Sequence, residues 1–217
     1  MNFKYYKTVP LISFIIVLAV LGALMNYGVG KLFESGTVPG ILADVLGIGS
    51  IVAYTTVGLV IVNRWGWVWK LKSWKVFGWL IDLPDLRGRY SGKLISNFQE
   101  NGQKKEMNCV IEITQTGSEV KVFSYYHDPL TNQDSSTSTS IVEEIIKEAN
   151  GLFKVHFMFS NKPGTHQEQL MDHDGTAWIL YYPDVKKIKM EYYNKRGNNG
   201  NADAVFEQSE VLGRFEG

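Results

Sequence analysis

The chain has 217 residues, 45% of them hydrophobic and 13% aromatic, with 22 basic and 22 acidic side chains and one cysteine. A single cysteine excludes an intrachain disulfide framework and suits a reducing compartment. The neutral total hides a split: residues 1–84 carry 7 Lys+Arg against 3 Asp+Glu (net +4), and residues 85–217 carry 15 against 19 (net −4). An acidic second part argues against a general DNA- or RNA-binding surface.

The first element is an uncharged apolar run over 8–30. As a helix it covers the roughly 30 Å hydrocarbon core of a bilayer. It is longer than a signal-peptide core of about 7–15 residues, and no A-x-A cleavage site follows, so a retained span is expected. A second apolar run follows over 40–62, with Asp44 as its one charge. Small residues recur four apart at Ala19/Ala23, Ala43/Gly47 and Gly49/Ala53, a spacing that lets helices approach closely, within a hairpin or between copies. Asp44 costs roughly 2.5–3.5 kcal/mol at mid-bilayer, so a place near the interface or in an oligomeric opening is expected. Lys4 and Lys7 precede the first run, and Arg64, Lys70, Lys72 and Lys75 follow the second, whereas the connector holds only Lys31 and Glu34. The positive-inside rule then puts both termini on the cytoplasmic side.

Five of the six tryptophans, Trp65, Trp67, Trp69, Trp74 and Trp79, crowd into the next stretch among lysines. Indole rings favour the headgroup layer, so 64–84 reads as an interfacial juncture; an aromatic protein-binding patch is the alternative. Its periodicity fits alternation over 65–71 and a helix over 67–81.

Period-two runs then follow at 86–95, 107–115, 119–126, 138–147, 152–160, 175–182, 187–194 and 203–208. Thr116-Gly117-Ser118, Asn150-Gly151 and Pro183-Asp184 supply turn signals. No helical pattern intervenes. The expected fold is a membrane α-helical hairpin of two transmembrane helices, followed by an all-β antiparallel small barrel of about eight strands; an open sandwich is the alternative. The expected division is 1–63 for the transmembrane hairpin, 64–84 for the juncture and 85–217 for a cytosolic β-barrel ligand-binding domain. A barrel of this size is filled by side chains or holds one small ligand.

In the first strand Leu86, Gly88, Tyr90, Gly92 and Leu94 share the expected inner face, and the two glycines beside Tyr90 leave room for bending or for a ligand. Folding the sixth and seventh runs about 183–186 is expected to bring Leu180 near Ile188, Thr176 near Tyr192, and Asp174 near Asn194 and Arg196. Apolar residues gather at the turn and polar ones at the far end, as in a barrel packed at its base and polar at its mouth. Tyr90, Thr176, Trp178, Tyr192, Asn194 and Arg196 are the candidate ligand-binding residues, with aromatic rings to stack on bases and arginine to pair with phosphate. The competing reading is a solvated hairpin end with a salt bridge.

Catalytic signatures are missing: the chain has no GxxxxGK[ST] loop, GxSxG elbow or HExxH pair. Cys109 alternates with Met107, Ile111 and Ile113, which marks a buried packing residue. Asp172, His173 and Asp174, with His166 nearby, alternate across a strand and do not converge on a metal without a bulge. Glu143 and Glu144 read as a charged edge, and the serine-rich stretch at 135–140 as a mobile or edge segment. No enzyme, cofactor or metal reading follows.

Three stretches carry a resemblance: Leu83-Pro84-x-Leu86-x-Gly88-x-Tyr90-x-Gly92, His173-x-Gly175-Thr176-Ala177, and Tyr192-Tyr193-Asn194-x-Arg196-x3-Gly200. In this order behind two apolar runs, the chain resembles the two-transmembrane, β-strand-rich effectors of bacterial CBASS anti-phage systems over nearly its whole length. The resemblance implies a barrel that binds a cyclic di- or trinucleotide made by a partner nucleotidyltransferase. It implies self-association on activation and disruption of the bacterial inner membrane by the spans, which kills the infected cell. The alternative is a membrane-tethered, non-catalytic barrel for a small hydrophobic ligand or partner protein, with an apolar pocket and with Asn194 and Arg196 pointing outside.

Overall fold

The structure is a computed structural model, and it describes residues 3–33, 40–71, 74–100, 102–164 and 171–215. The side chains of 40–50, including Asp44, Ala43, Gly47 and Gly49, lie outside the described residues, as do the connector 34–39, Lys72, His166 and the Trp74 side chain. The chain forms two compact units. One comprises 1–83 together with 116–118, and the other comprises 84–115 and 119–217.

In the first unit two helices follow from the two apolar runs, α1 (Thr8–Phe33) and α2 (Gly40–Arg64). Residues 8–28 of α1 are long and apolar enough to cross a membrane. The apolar stretch described in α2, residues 51–64, is shorter than a span. The fold therefore has two helices, one of them a membrane-span candidate. The helices meet closely at glycines. A Cβ on Gly22 would stand 3.4 Å from Ile51 Cα, and one on Gly58 would stand 3.0 Å from Leu18 Cδ1. The four-apart pair Ala19/Ala23 does not make this approach, because Ala23 is exposed one position beyond buried Gly22.

The tryptophan-rich stretch is neither one strand nor one helix. It breaks into a 3-10 turn (Gly66–Val68), then a ribbon pairing Lys70–Leu71 with Trp74–Lys75, then turns. Trp65, Trp69 and Trp79 are exposed, and Trp67 is buried. The end of α2 is tied down by Asn63. Its Oδ1 accepts from Tyr6 Oη (3.1 Å) and Ser118 Oγ (2.5 Å), and its carbonyl accepts from Gly117 N (2.7 Å). Burial pushes the Tyr6 phenol up to about 12.

The second unit is a closed antiparallel barrel of eight strands. They are β1 (Gly88–Glu100), β2 (Gln103–Gln115), β3 (Val120–Asp128), β4 (Gln133–Lys147), β5 (Phe153–Pro163), β6 (His173–Tyr182), β7 (Lys187–Asn194) and β8 (Asn199–Gln208). Each pairs with the next, and β8 closes on β1 with Ala202 opposite Leu94 and Ala204 opposite Gly92. Closure is tight there. A Cβ on Gly92 would lie 1.9 Å from Asp203 O, so the space beside this glycine is filled by the β8 backbone and leaves none for a ligand.

Inward residues at the base are apolar: Ile111, Ile113, Val122, Val155, Ile179 and Ile188 are all buried. Cys109 is among the core residues, and burial pushes its thiol up to about 12, which fits packing and not reactivity. The serine-rich stretch is neither edge nor loop. It forms β4, paired on both sides with β3 and β5. An interior strand tolerates such residues here because its inward Ser135, Ser136 and Ser138 face a cavity.

Candidate functional site

The register of β6 and β7 decides which side chains point inward. Tyr182 pairs with Lys187 across a four-residue loop, in which Lys186 takes a positive φ of 47°. Pairing then runs Ala177 to Tyr192 and Gly175 to Asn194. This is one residue out of step with the pairing of Thr176 with Tyr192 expected from the sequence. Side chains alternate with period two, so a one-residue slip exchanges the faces. Gly175, Ala177 and Ile179 therefore share the inner face with Tyr192, and Thr176 and Trp178 face outward. Thr176 is exposed, and Trp178 carries the Lys154 ammonium 4.0 Å from its ring centroid.

At the polar end the strands enclose a cavity of about 390 Å³, within the range of small-molecule sites. Of the six candidates read from the sequence, Tyr192, Asn194 and Arg196 line it; Tyr90, Thr176 and Trp178 do not. Tyr90 belongs to the core. Its Oη donates to Leu86 O at 2.9 Å, and its ring meets Phe206 edge-on at 5.6 Å.

Aromatic side chains reach the cavity from every second strand: Phe98 on β1, Tyr126 on β3, Phe159 on β5 and Tyr192 on β7. This follows from barrel stagger, which places inward residues of alternate strands in one layer. Phe159 and Tyr192 meet edge-on at 6.4 Å. Tyr192 is anchored by donating to Ser96 Oγ at 2.9 Å. Burial raises its phenol, with the Ser96 bond opposing.

Among the described residues, two cations stand on the wall. Lys105, on β2, pairs with Asp128 at 2.8 Å. Burial pushes the Asp128 carboxyl up, but the Lys105 ion pair and the Leu130 N–H outweigh it and hold the group below the usual carboxylate range. Arg196 is carried by the β7–β8 loop, and its Nη2 donates to Met171 O. The loop is organised by Asn194, whose Oδ1 accepts from Arg196 N (3.1 Å) and Asn198 N (3.0 Å). Asn194 is thus a positioning residue for Arg196. Its Nδ2 lies 3.2 Å from His173 Nε2, which must then accept, so the ring is neutral. Burial and the Arg196 charge hold His173 below its ordinary pKa. Asp172 and Asp174 are exposed on either side of it.

Sequence reasoning missed the β4 and β5 contribution. A register shift between Tyr126 and His127 leaves Ser135 as an extra residue, so adjacent Ser135 and Ser136 both reach the cavity, with Ser138 beyond. The small polar alternation over 135–140 was the available signal.

Such a wall offers stacking rings, hydroxyls and two cations, which suits a ligand with bases, riboses and phosphates. No curated protein matches the chain. The family model described as "Cap15, cyclic dinucleotide receptor domain" matches residues 81–204, which takes in β1 to β7 and the first half of β8. That match covers more than half of the chain, which therefore belongs to the Cap15 cyclic dinucleotide receptor family and is a CBASS effector that senses a cyclic nucleotide.

Proposed function

We propose that the barrel cavity is the receptor site, that Tyr192 and Arg196 contact a cyclic dinucleotide there, and that α1 and α2 are the output. The observation that carries this reading is the ring of Phe98, Tyr126, Phe159 and Tyr192 interleaved with Arg196 and Lys105. Rings on alternate strands suit two bases, and each base–aromatic stack contributes about 1–3 kcal/mol. The cations suit the two phosphates that join them. Asn194 and the serines on the wall argue against an apolar pocket for a hydrophobic ligand.

On this reading the division is 1–63 as a membrane hairpin, 64–84 as the coupling juncture and 85–217 as a cytosolic receptor. Both helices cross the bacterial inner membrane, with both termini inside, as the basic residues flanking them favour. A nucleotidyltransferase supplies the ligand, the chain performs no catalysis, and occupancy drives self-association and membrane disruption. The test is calorimetry of the full-length chain in lipid nanodiscs against a broad cyclic dinucleotide panel. Binding by at least one member is expected. No heat from any member overturns the proposal at its first step.

A further inference from the structure

One amide in the cavity wall is held from a single side. Asn161, on β5, is 7% exposed and lines the cavity. Its Nδ2 donates to Ser138 Oγ at 2.8 Å and to Ser136 Oγ at 3.2 Å. These two bonds set the amide with its Nδ2 toward β4. Its Oδ1 receives no hydrogen bond among the described residues, and it stays open to the cavity. Neighbouring acceptors are already committed. Asn194 Oδ1 holds two backbone N–H groups, and Ser96 Oγ takes Tyr192 Oη and Phe98 N.

An oriented acceptor that has no protein donor and opens on a cavity is a recognition element, because a ligand that displaces water there must bring an N–H or O–H in its place. We propose that Asn161 is the base-selecting residue of this receptor: its Oδ1 accepts from the exocyclic amino group of an adenine or cytosine in the bound cyclic dinucleotide. This rests on the reading of the cavity as a cyclic dinucleotide site. Adenine and cytosine carry –NH₂ where hypoxanthine and uracil carry a carbonyl oxygen. A carbonyl there would set two acceptors face to face in a desolvated wall, with no proton between them. Turning the amide to offer its own N–H to the cavity would give up both Nδ2 bonds to the serines.

The test compares matched ligands on the full-length chain in nanodiscs: cyclic di-AMP with cyclic di-IMP, and cyclic di-CMP with cyclic di-UMP. The amino member of at least one pair should bind about 10- to 100-fold more tightly. Asn161→Leu should bring that pair within about threefold, and Ser138→Ala, which frees the amide to turn, should narrow the gap without emptying the site. Equal affinity within both pairs, a preference for the carbonyl member, or a preference that survives Asn161→Leu overturns the base-selecting role and leaves the receptor reading standing. If none of the four ligands binds while another cyclic dinucleotide does, the role of Asn161 also fails. Silence from every cyclic dinucleotide fails the receptor reading itself.

Discussion

Arg89 Nη1 lies 2.9 Å from Glu112 Oε1, and the two side chains are 0% and 2% exposed although they stand on the outer face of the barrel wall. The C-terminal segment seals them. Leu212 N and Gly213 N donate to the Glu112 carboxylate, and Arg89 Nη1 donates to Arg214 O. Glu207 adds a second acid 3.2 Å from Arg89 Nε. Removing one partner of such a pair strands a buried charge. Arg89→Met should therefore cost about 3–5 kcal/mol, and Arg89→Met with Glu112→Leu should recover most of it. Thermal melts of the three proteins in one detergent decide this; a double variant as unstable as the single would contradict it.

Arg196→Ala should weaken cyclic dinucleotide binding by roughly 10- to 100-fold, from the loss of about 1.5–3 kcal/mol of charge-assisted hydrogen bonding. Tyr192→Ala should cost about as much through lost stacking. Trp178→Ala, on the outer face, should leave affinity within about threefold. Titration calorimetry separates these, and wild-type affinity in both cavity variants would mean that the ligand sits elsewhere.

His173 is neutral, and its pKa is depressed by burial and then by Arg196. The unfolded ring, with an ordinary pKa of about 6.5, takes up a proton first as pH falls. Its contribution to stability is thus complete above about pH 6.5 and is lost as pH falls from there through the folded-state pKa. Between pH 7.5 and 5.5 the wild-type melting temperature should drop more than that of His173→Gln. Parallel pH dependences in the two proteins would refute this.

Gly92→Ala should prevent the barrel from closing. Its Cβ would sit 1.9 Å from Asp203 O and 2.7 Å from Ala204 Cα, both backbone atoms that cannot rotate away. A cost of at least about 3 kcal/mol is expected, at the upper end of overpacking effects. A variant that melts within a few degrees of wild type would show that β8 can shift.

Cys109 is buried and is the sole cysteine, so an introduced thiol reports alone. Val185→Cys, on the exposed β6–β7 loop, should react with a membrane-impermeant maleimide only after the inner membrane is opened. Labelling in spheroplasts with intact membranes would put the barrel on the other side.

Alternation and turn residues mark all eight strands because both signals are local. Each strand repeats its pattern over several residues, and Gly, Asn and Pro punctuate between them. The apolar run of α1 is equally local. The placement of Tyr192, Asn194 and Arg196 at the cavity end was legible because the polar residues of β7 fall at the end away from the β6–β7 loop.

Tertiary structure decided what alternation leaves degenerate. A strand has two faces, and its pattern does not say which residue of the neighbour lies opposite. The four-residue loop at 183–186 settled that for β6, and turned Trp178 outward. Ser135 reaches the cavity through a bulge that only pairing with β3 reveals. Arg89 is sealed by residues more than 120 positions away, and Asn161 is oriented by serines on the adjacent strand. The sequence by itself therefore determined the apolar helix, the strand count and the polar end of the barrel, which depend on neighbours along the chain. Register, closure and the acceptor that Asn161 turns to the cavity depend on neighbours across strands, and those exist only once the barrel has closed.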